Sequence, residues 1–502
     1  MREVEVKLAV RGSFVMPPLF HDGIGVADVE ELPTLDLKST YYDTPDLRLA
    51  RNGATLRHRT GEQDGPRWTL KLPQRGGAAM VRDEQHFEAP AGRVPRAVLD
   101  LATAYVRSQS LAAVASLKTR RHRWILKDAS GGELAEVVDD EVSVYEGRRA
   151  VGRFRELEVE DRSLGVEGLW QIADLLKEAG ATSAEPVSKA VRALGARATA
   201  QADAPREIEV GPSDPSGRAL QRALARGLDR LLAHDAGARL GDDPEFVHQM
   251  RVAARRLRSD LRTLASLVES SWSDSLRSEL KWLGESLGRV RDLDVQIERL
   301  RASSGELLDD LSVLFEDLGR RHSEARDALL HDLGSARYKR LLDSLVDAVA
   351  APAFAAASQA PCGEVMPPLV ARAWRKLSAA GRALNPDSSE ADFHRVRIKA
   401  KRARYAAEAV GDCLGRTSAG HARRFAKRCA AVQDVLGEMQ DAAVAMETIR
   451  SVAREHPRSG TANFALGRLL ERQLKAIEQA KSSYPGAWEK LDAKKNTAWM
   501  KT

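Results

Sequence analysis

Cysteine is nearly missing: Cys362, Cys413 and Cys429 are the three in 502 residues. That excludes a disulfide-stapled scaffold, and no C-x-x-C pair is present to hold zinc. Aromatic residues make up 5% of the chain, too few for an array of base-stacking platforms. The longest weakly polar run, 345–357, contains Asp347 and Pro352 and is too short to span a bilayer. The opening MREVEVKLAV carries acids where a secretory leader needs an apolar stretch. A cytoplasmic protein without a membrane anchor is expected. Neither sign of charge dominates. Lys plus Arg is 78 against 72 Asp plus Glu, a net +6. Any polyanion site must therefore come from local gathering of charge.

What is present has two textures. Up to about residue 200, short segments alternate apolar and charged residues between Gly, Pro and Asp, which is the strand pattern. Beyond it run long Leu/Ala/Arg/Glu segments with helical spacing. The expected division is 1–199 for the β-rich part, a linker at 200–216, and a helical part at 217–495, with halves at 217–349 and 367–495. The closing AKKNTAWMKT reads as a loose tail.

In a strand, alternate side chains share a face. Glu3, Glu5 and Lys7 then lie on one face of the first segment, with Val4, Val6, Leu8 and Val10 on the other. Arg57 and Arg59 share a face, Lys71 follows, and Arg82, Glu84, His86 and Glu88 share the next. The stretch 118–123 is dense in base. Glu156, Glu158 and Glu160 set three carboxylates on one face, opposite Leu157 and Val159. Same-face glutamates repel unless cations lie opposite. Closing the strands into a barrel with charged faces inward meets that need. Its carboxylates would hold a hard divalent cation through oxygen. Its Arg and Lys would grip a polyanion. The apolar faces then point outward, against covering helices such as 169–179.

This ordered series resembles the CYTH superfamily, the triphosphate tunnel metalloenzymes. Glu3-Val4-Glu5-Val6-Lys7 matches its E-x-E-x-K signature. Tyr41-Tyr42-Asp43-Thr44-Pro45, Leu56-Arg57-His58-Arg59, Lys71, Arg82-x-Glu84, the basic stretch, the three glutamates and Ser188-Lys189 follow in order, over nearly all of 1–195. The resemblance implies an α+β multidomain chain with an N-terminal eight-stranded antiparallel β tunnel and flanking helices. It implies Mg²⁺ or Mn²⁺ held by Glu3, Glu5, Glu156 and Glu158, with Glu160 and Glu84 in support. Glu3, Glu5, Lys7, Glu156 and Glu158 form the expected catalytic set. Arg57, Arg59, Lys71, Arg82, Arg121 and Lys189, with Lys7, are the expected phosphate clamps. Two registers stay open. The family's late-strand acid falls at Asp139 or Asp140. Arg120 and Arg121 point to opposite faces, with Arg121 favoured.

The helical part repeats itself. His248, Arg251, Arg255, Arg258 and Arg262 form one stripe of a helix, opposite Ala254, Leu257, Leu261 and Leu264. His394, Arg397, Lys401 and Arg404 repeat the spacing, opposite Ala400, Ala403, Ala407 and Val410. Leu287-Gly288-x-x-x-Asp292 recurs as Leu436-Gly437-x-x-x-Asp441, which marks a duplicated unit. No acid falls within 248–258 or 394–404, and such unbalanced charge on one face favours a bound anion. This part resembles the CHAD domain, the conserved-histidine α-helical domain. That implies two pseudo-symmetric four-helix bundles and a basic surface for inorganic polyphosphate. Nucleic acid is the weaker partner, because phosphate contacts alone do not discriminate. The sequence is thus expected to encode a metal-dependent hydrolase of inorganic triphosphate joined to a polyphosphate-binding domain, with polyphosphate granules as a candidate address. The competing readings are a non-catalytic polyphosphate binder, an adenylyl cyclase and a thiamine triphosphatase.

Overall fold

The computed structural model describes residues 2–20, 22–62, 65–73, 81–184, 187–203, 207–385, 387–411, 413–455 and 460–501, and of 2, 3, 22, 81–83 and 501 the backbone alone. The chain folds as two compact units, 1–203 and 204–502.

The first unit is a ring of antiparallel strands. These are β1 (Arg2–Val10), β2 (Asp28–Asp43), β3 (Thr55–Thr60), β4 (Arg67–Pro73), β5 (Val81–Glu88), β6 (Ala112–Lys127), β7 (Glu133–Glu146) and β8 (Arg149–Asp161). They run in the order β5-β4-β3-β2-β6-β7-β8-β1, and β1 pairs with β5 to close eight strands on themselves. A two-residue strand, β9 (Thr182–Ser183), adds to β1. Closure removes the exposed strand edges that invite aggregation. Gly147, at φ 58, supplies the positive φ of the tight turn between β7 and β8.

Alternation places the apolar side chains outside, as the sequence predicts. Val6, Leu8, Leu126, Val137, Leu157 and Val159 form a core with Leu169, Ile172, Ala173 and Leu176. The last four come from one side of α3 (Gly165–Glu178), which follows the short α1 (Arg48–Arg51) and α2 (Arg96–Val106). Inside the ring, one end is filled by a second apolar cluster. Tyr41, Leu117, Val142 and Val144 pack there with Ala190 of α4 (Lys189–Leu194), which α5 (Ala196–Thr199) follows.

The second unit is all helix. Its first half holds α6 (Ser216–Leu240), α7 (Pro244–Thr263), α8 (Ser270–Ser304), α9 (Ser312–Gly334) and α10 (Ala336–Ala350). Its second half holds α11 (Cys362–Arg382), α12 (Glu390–Gly411), α13 (Gly415–Glu455) and α14 (Gly460–Asp492). Four helices therefore repeat, and the first half carries a fifth, α10. The predicted apolar stripes of α7 and α12 are buried throughout. The far ends of α8, α9, α13 and α14 share one core. Leu300, Leu311, Leu314 and Leu318 meet Ala445, Ile449, Leu466 and Leu469 there.

Two stretches differ from expectation. The C-terminal tail is not loose: Trp499 and Met500 are buried, and Trp499 Nε1 donates to Asn496 O at 2.9 Å. Its two large apolar side chains supply burial that a count of its lysines conceals. Residues 212–216, placed in the linker, are tied to the second half of the helical unit. Ser216 N donates to Ala360 O, Cys362 N to Asp214 O and Gly363 N to Pro212 O, at 2.8 to 2.9 Å.

Packing is tight where helices of the second half cross. A Cβ added at Gly381 would lie 2.1 Å from the Trp488 ring, which stacks between Trp374 and Tyr484. Gly381→Ala is therefore expected to lower stability by about 1–3 kcal/mol, the usual cost of overpacking. A thermal melt checks this.

Candidate functional site

The inner face of the ring encloses a cavity of about 620 Å³, lined mostly by charged side chains. β8 contributes Glu158 and Glu160, and β1 contributes Glu5 and Lys7. One carboxylate oxygen from each of Glu5, Glu158 and Glu160 lies within 4.8 Å of the others. Glu156 lies on the same face of β8 but outside that trio. It is buried between Lys189 at 2.7 Å and Arg192 at 3.0 Å. The side chains of Glu3 and Arg82 lie outside the described residues; the backbone pairs residue 3 with residue 82.

Glu158 is the hub. Lys7 bonds to it, Lys189 Nζ donates to it at 2.8 Å, and Arg121 reaches it at 3.3 Å. Burial alone would push its carboxyl up, but Lys189, Lys7 and Arg121 hold it well below the usual carboxylate range. Burial would lower Lys189, but Asp140, Glu158 and Glu156 together lift it well above its ordinary value. Both groups are thus ions at neutral pH.

The two open registers resolve geometrically. Arg121 points inward and forks onto both oxygens of Asp140, at 2.8 and 2.7 Å. Arg120 points outward and is exposed, 3.6 Å from Asp36. Asp139 also faces outward, where Arg155 binds it at 2.9 and 2.7 Å.

The opposite wall is basic. Lys71 lies 2.9 Å from Glu84 and Arg57 3.7 Å from it. Arg57 also bonds to the Tyr41 phenol. Arg59 donates to Ser39 at 3.1 Å and to Glu62 at 3.0 Å. Burial, with the adjacent Arg57 and Arg121, lowers Arg59 to about 10. A guanidinium so placed is under-compensated, and an anion bound beside it relieves the repulsion. Sequence reasoning missed Tyr41 as a lining residue, together with Glu62, Arg67, Glu136 and Arg162. Tyr41 and Tyr42 are adjacent and chemically alike, so the motif that holds them does not say which faces inward. Arg67 shares the face of Lys71 on β4, so period two could have found it, whereas Glu62 lies beyond the end of β3, where strand alternation gives no facing.

In the helical unit, Arg251 Nη1 donates to Asp292 at 2.6 Å and to Gly288 O at 3.2 Å. The second copy places Arg397 over Gly437 and beside Asp441. Among the described residues, the Nε–H groups of Arg251 and Arg397 are both buried without a hydrogen-bond partner. Arg255 lies near both; burial, Arg251 and Arg397 lower its affinity for its proton despite Tyr405. Arg262 is lowered likewise by burial and by Arg402, Arg277 and Arg258. The stripes of the two copies thus converge. Acids absent within 248–258 and 394–404 come from the neighbouring α8 and α13. Lys401 and Arg404 flank the Tyr405 ring, and Arg404 donates to Glu408 at 2.8 Å. His394 bonds to Gln440 at 2.6 Å. His248 is half-buried; burial and Arg291 lower its affinity for a proton.

Two family profiles match the chain, the CYTH domain over residues 1–194 and the CHAD domain over 222–450. An uncharacterized protein, Rv2226, of Mycobacterium tuberculosis (strain ATCC 25618 / H37Rv) is 32% identical over 98% of this chain and 96% of its own. The chain belongs to the CYTH–CHAD family. Among solved structures it is similar to PptA from Streptomyces chartreusis, at 23% identity and a TM-score of 0.47, over 55% of this chain and 99% of that one. It is also similar to the CHAD domain from the plant Ricinus communis, at 26% and 0.44, over 56% and 96%.

CYTH proteins are metal-dependent tunnel enzymes that act on triphosphates and include triphosphatases and adenylyl cyclases, and CHAD domains are associated with polyphosphate. The CYTH trio Glu5, Glu158 and Glu160 fits a hard divalent cation, since all its donors are carboxylate oxygens converging on one point. No helix among the described residues is long and apolar enough to cross a membrane.

The CHAD unit also holds a buried carboxyl with a pH signature. Burial raises Asp260 to about 7, although Arg256 donates to it at 3.1 Å. The unfolded chain releases that proton first. Stability is therefore lost progressively as pH rises from the ordinary carboxylate range to about 7. Asp260→Asn is expected to flatten that part of the melting-temperature profile.

Proposed function

We propose that the CYTH tunnel hydrolyses inorganic triphosphate with a divalent cation, and that the CHAD unit holds inorganic polyphosphate. The observation that carries this is the division of the cavity, with the three-carboxylate cluster on β1 and β8 and Arg57, Arg59 and Lys71 on the facing strands. Among the described residues, the only rings along its lining belong to Tyr41 and His86, and Tyr41 is engaged by Arg57. That leaves His86 as the one ring in the lining open to a nucleobase among the described residues, a sparse set that favours inorganic triphosphate over ATP or thiamine triphosphate.

Arg57, Arg59 and Lys71 would bind the phosphoryl oxygens and offset their mutual repulsion. Lys189 and Arg121 hold Glu158 and Asp140 ionised and fixed. A divalent cation at Glu5, Glu158 and Glu160 would neutralise charge on phosphoryl oxygens and the leaving group. α4 and its apolar neighbours pack into one end of the tunnel, which favours a short phosphate chain over a long one threaded through. Mg²⁺ or Mn²⁺ suits the all-oxygen donor set.

The test is phosphate release from inorganic triphosphate, long-chain polyphosphate, ATP and thiamine triphosphate, each with Mg²⁺, Mn²⁺ and EDTA. Inorganic triphosphate is expected to turn over fastest, and EDTA to abolish release. Cyclic AMP from ATP would instead establish a cyclase. No turnover of any substrate, with polyphosphate still bound, would leave a binding protein. A cytoplasmic place at polyphosphate granules follows from the same reading.

A further inference from the structure

A second cavity opens outside the charged tunnel site. It is a groove of about 1100 Å³ along the outer face of β2, β6, β7 and β8, reaching the end of β1 and, at its margin, Arg192 of α4. Register fixes what faces into it. Asp140, Glu156 and Arg121 point inward, so their neighbours along each strand point out. One rung across the sheet reads Lys38, Lys118, Ser143, Arg153, each opposite the next. The adjoining rung reads Asp36, Arg120, Glu141, Arg155.

The two rungs differ in charge balance. In the second, Arg120 faces Asp36, and Arg155 is taken by Asp139. The first contains no acid. Lys38 and Lys118 sit directly opposite on adjacent strands, an arrangement that costs stability unless an anion lies between them. Lys38, Lys118 and Arg153 are all exposed. None of the three has a carboxylate within ion-pair distance among the described residues; Lys118 instead lies 5.0 Å from the Tyr145 ring centroid.

We propose that this rung is a second phosphate-chain site, in which Lys38, Lys118 and Arg153 hold a linear inorganic polyphosphate across the outside of the CYTH barrel. Strands in a sheet lie about 4.8 Å apart, so the cations of neighbouring strands form a close-set row. A phosphate chain carries a charge on every unit, with no sugar between, and suits such a row. Single-stranded RNA fits less well, because the Tyr145 ring beside the row is covered by Lys118 and is not free to stack on a base. The inference rests on polyphosphate being a ligand of this protein, but not on the helical stripes being where it binds.

Lysine footprinting on the full chain separates these claims. The rate of acetylation at each lysine is read by mass spectrometry, with and without long-chain polyphosphate at matched ionic strength. Near saturation, Lys38 and Lys118 are expected to react about fivefold more slowly or less, while Lys177 on α3 is unchanged. Arg153→Glu should remove the protection without altering the melting temperature. A variant with Arg251→Glu and Arg397→Glu should retain it. Protection at Lys399 and Lys401 but not at Lys38 and Lys118 overturns the inference and leaves the helical reading standing. The reverse pattern supports the inference and refutes the helical reading. No protection anywhere overturns both. Equal protection by single-stranded RNA overturns the assignment to polyphosphate.

Discussion

Glu158→Ala is expected to cut metal-dependent phosphate release by about 100-fold or more, the scale of loss when a charge-stabilising group leaves a water-poor site. The substitution removes one of three converging oxygens and strands three cations at once, because Lys7, Lys189 and Arg121 all converge on that carboxylate. Stability should fall too, by roughly 3–5 kcal/mol, the range for breaking a buried pair from one side. Glu160→Gln provides the control. Its carboxylate belongs to the oxygen trio, while the hub at Glu158 stays intact. It should raise the metal concentration needed for activity, with a much smaller change in melting temperature. Full activity in Glu158→Ala, with the fold retained, would refute the proposed chemistry. The pH sign is also set. A carboxyl held below its ordinary value contributes stability above that value and loses it as pH falls. Wild type should therefore lose its stability advantage over Glu158→Gln only in acid.

The second large effect concerns the helical unit. Reversing both Arg251 and Arg397 to Glu is expected to abolish polyphosphate binding by the helical unit, read by fluorescence anisotropy or titration calorimetry as loss of that share of the binding, with only the outer rung's share left. The two guanidinium groups occupy matched positions, one in each copy, and both keep a buried Nε–H without a partner among the described residues. Reversal replaces attraction by repulsion at the centre of the converging stripes. A single Arg251→Ala should instead weaken binding and lower the slope of log affinity against log salt by about 0.7 for each phosphate charge left unneutralised. Unchanged affinity in the double reversal would show that the stripes are not the site. The melting temperature must be followed alongside, because Arg251 also pairs with Asp292.

Much of this was legible because strands and helices broadcast their facing. The inward set Glu5, Lys7, Arg57, Arg59, Lys71 and Glu158 follows from period two, and the stripes on α7 and α12 from helical spacing. What resisted reading was depth along a face. Glu156, Glu158 and Glu160 look equivalent in sequence. Yet α4 delivers Lys189 and Arg192 to the first of them, and the other two meet Glu5. Only the chain's return at residue 189 decides that. Adjacent like residues were a second obstacle. Asp139 and Asp140, or Arg120 and Arg121, can exchange faces by a slip of one residue, and register across β6, β7 and β8 chooses between them. The outer rung was invisible for the same reason, since residues 38, 118 and 153 become neighbours only when β2, β6, β7 and β8 are laid side by side.

The core shared by α8, α9, α13 and α14 has a further meaning. Leu300, Leu311 and Leu314 from one copy of the repeat are buried against Ile449, Leu466 and Leu469 from the other. Neither copy alone can cover that surface, so each would expose an apolar patch if severed from its twin. The CHAD unit should then melt in a single cooperative transition and resist being split at 351–361. It also has the logic of a fused homodimer, in which two identical chains once met through this patch and the joining segment made their partnership permanent.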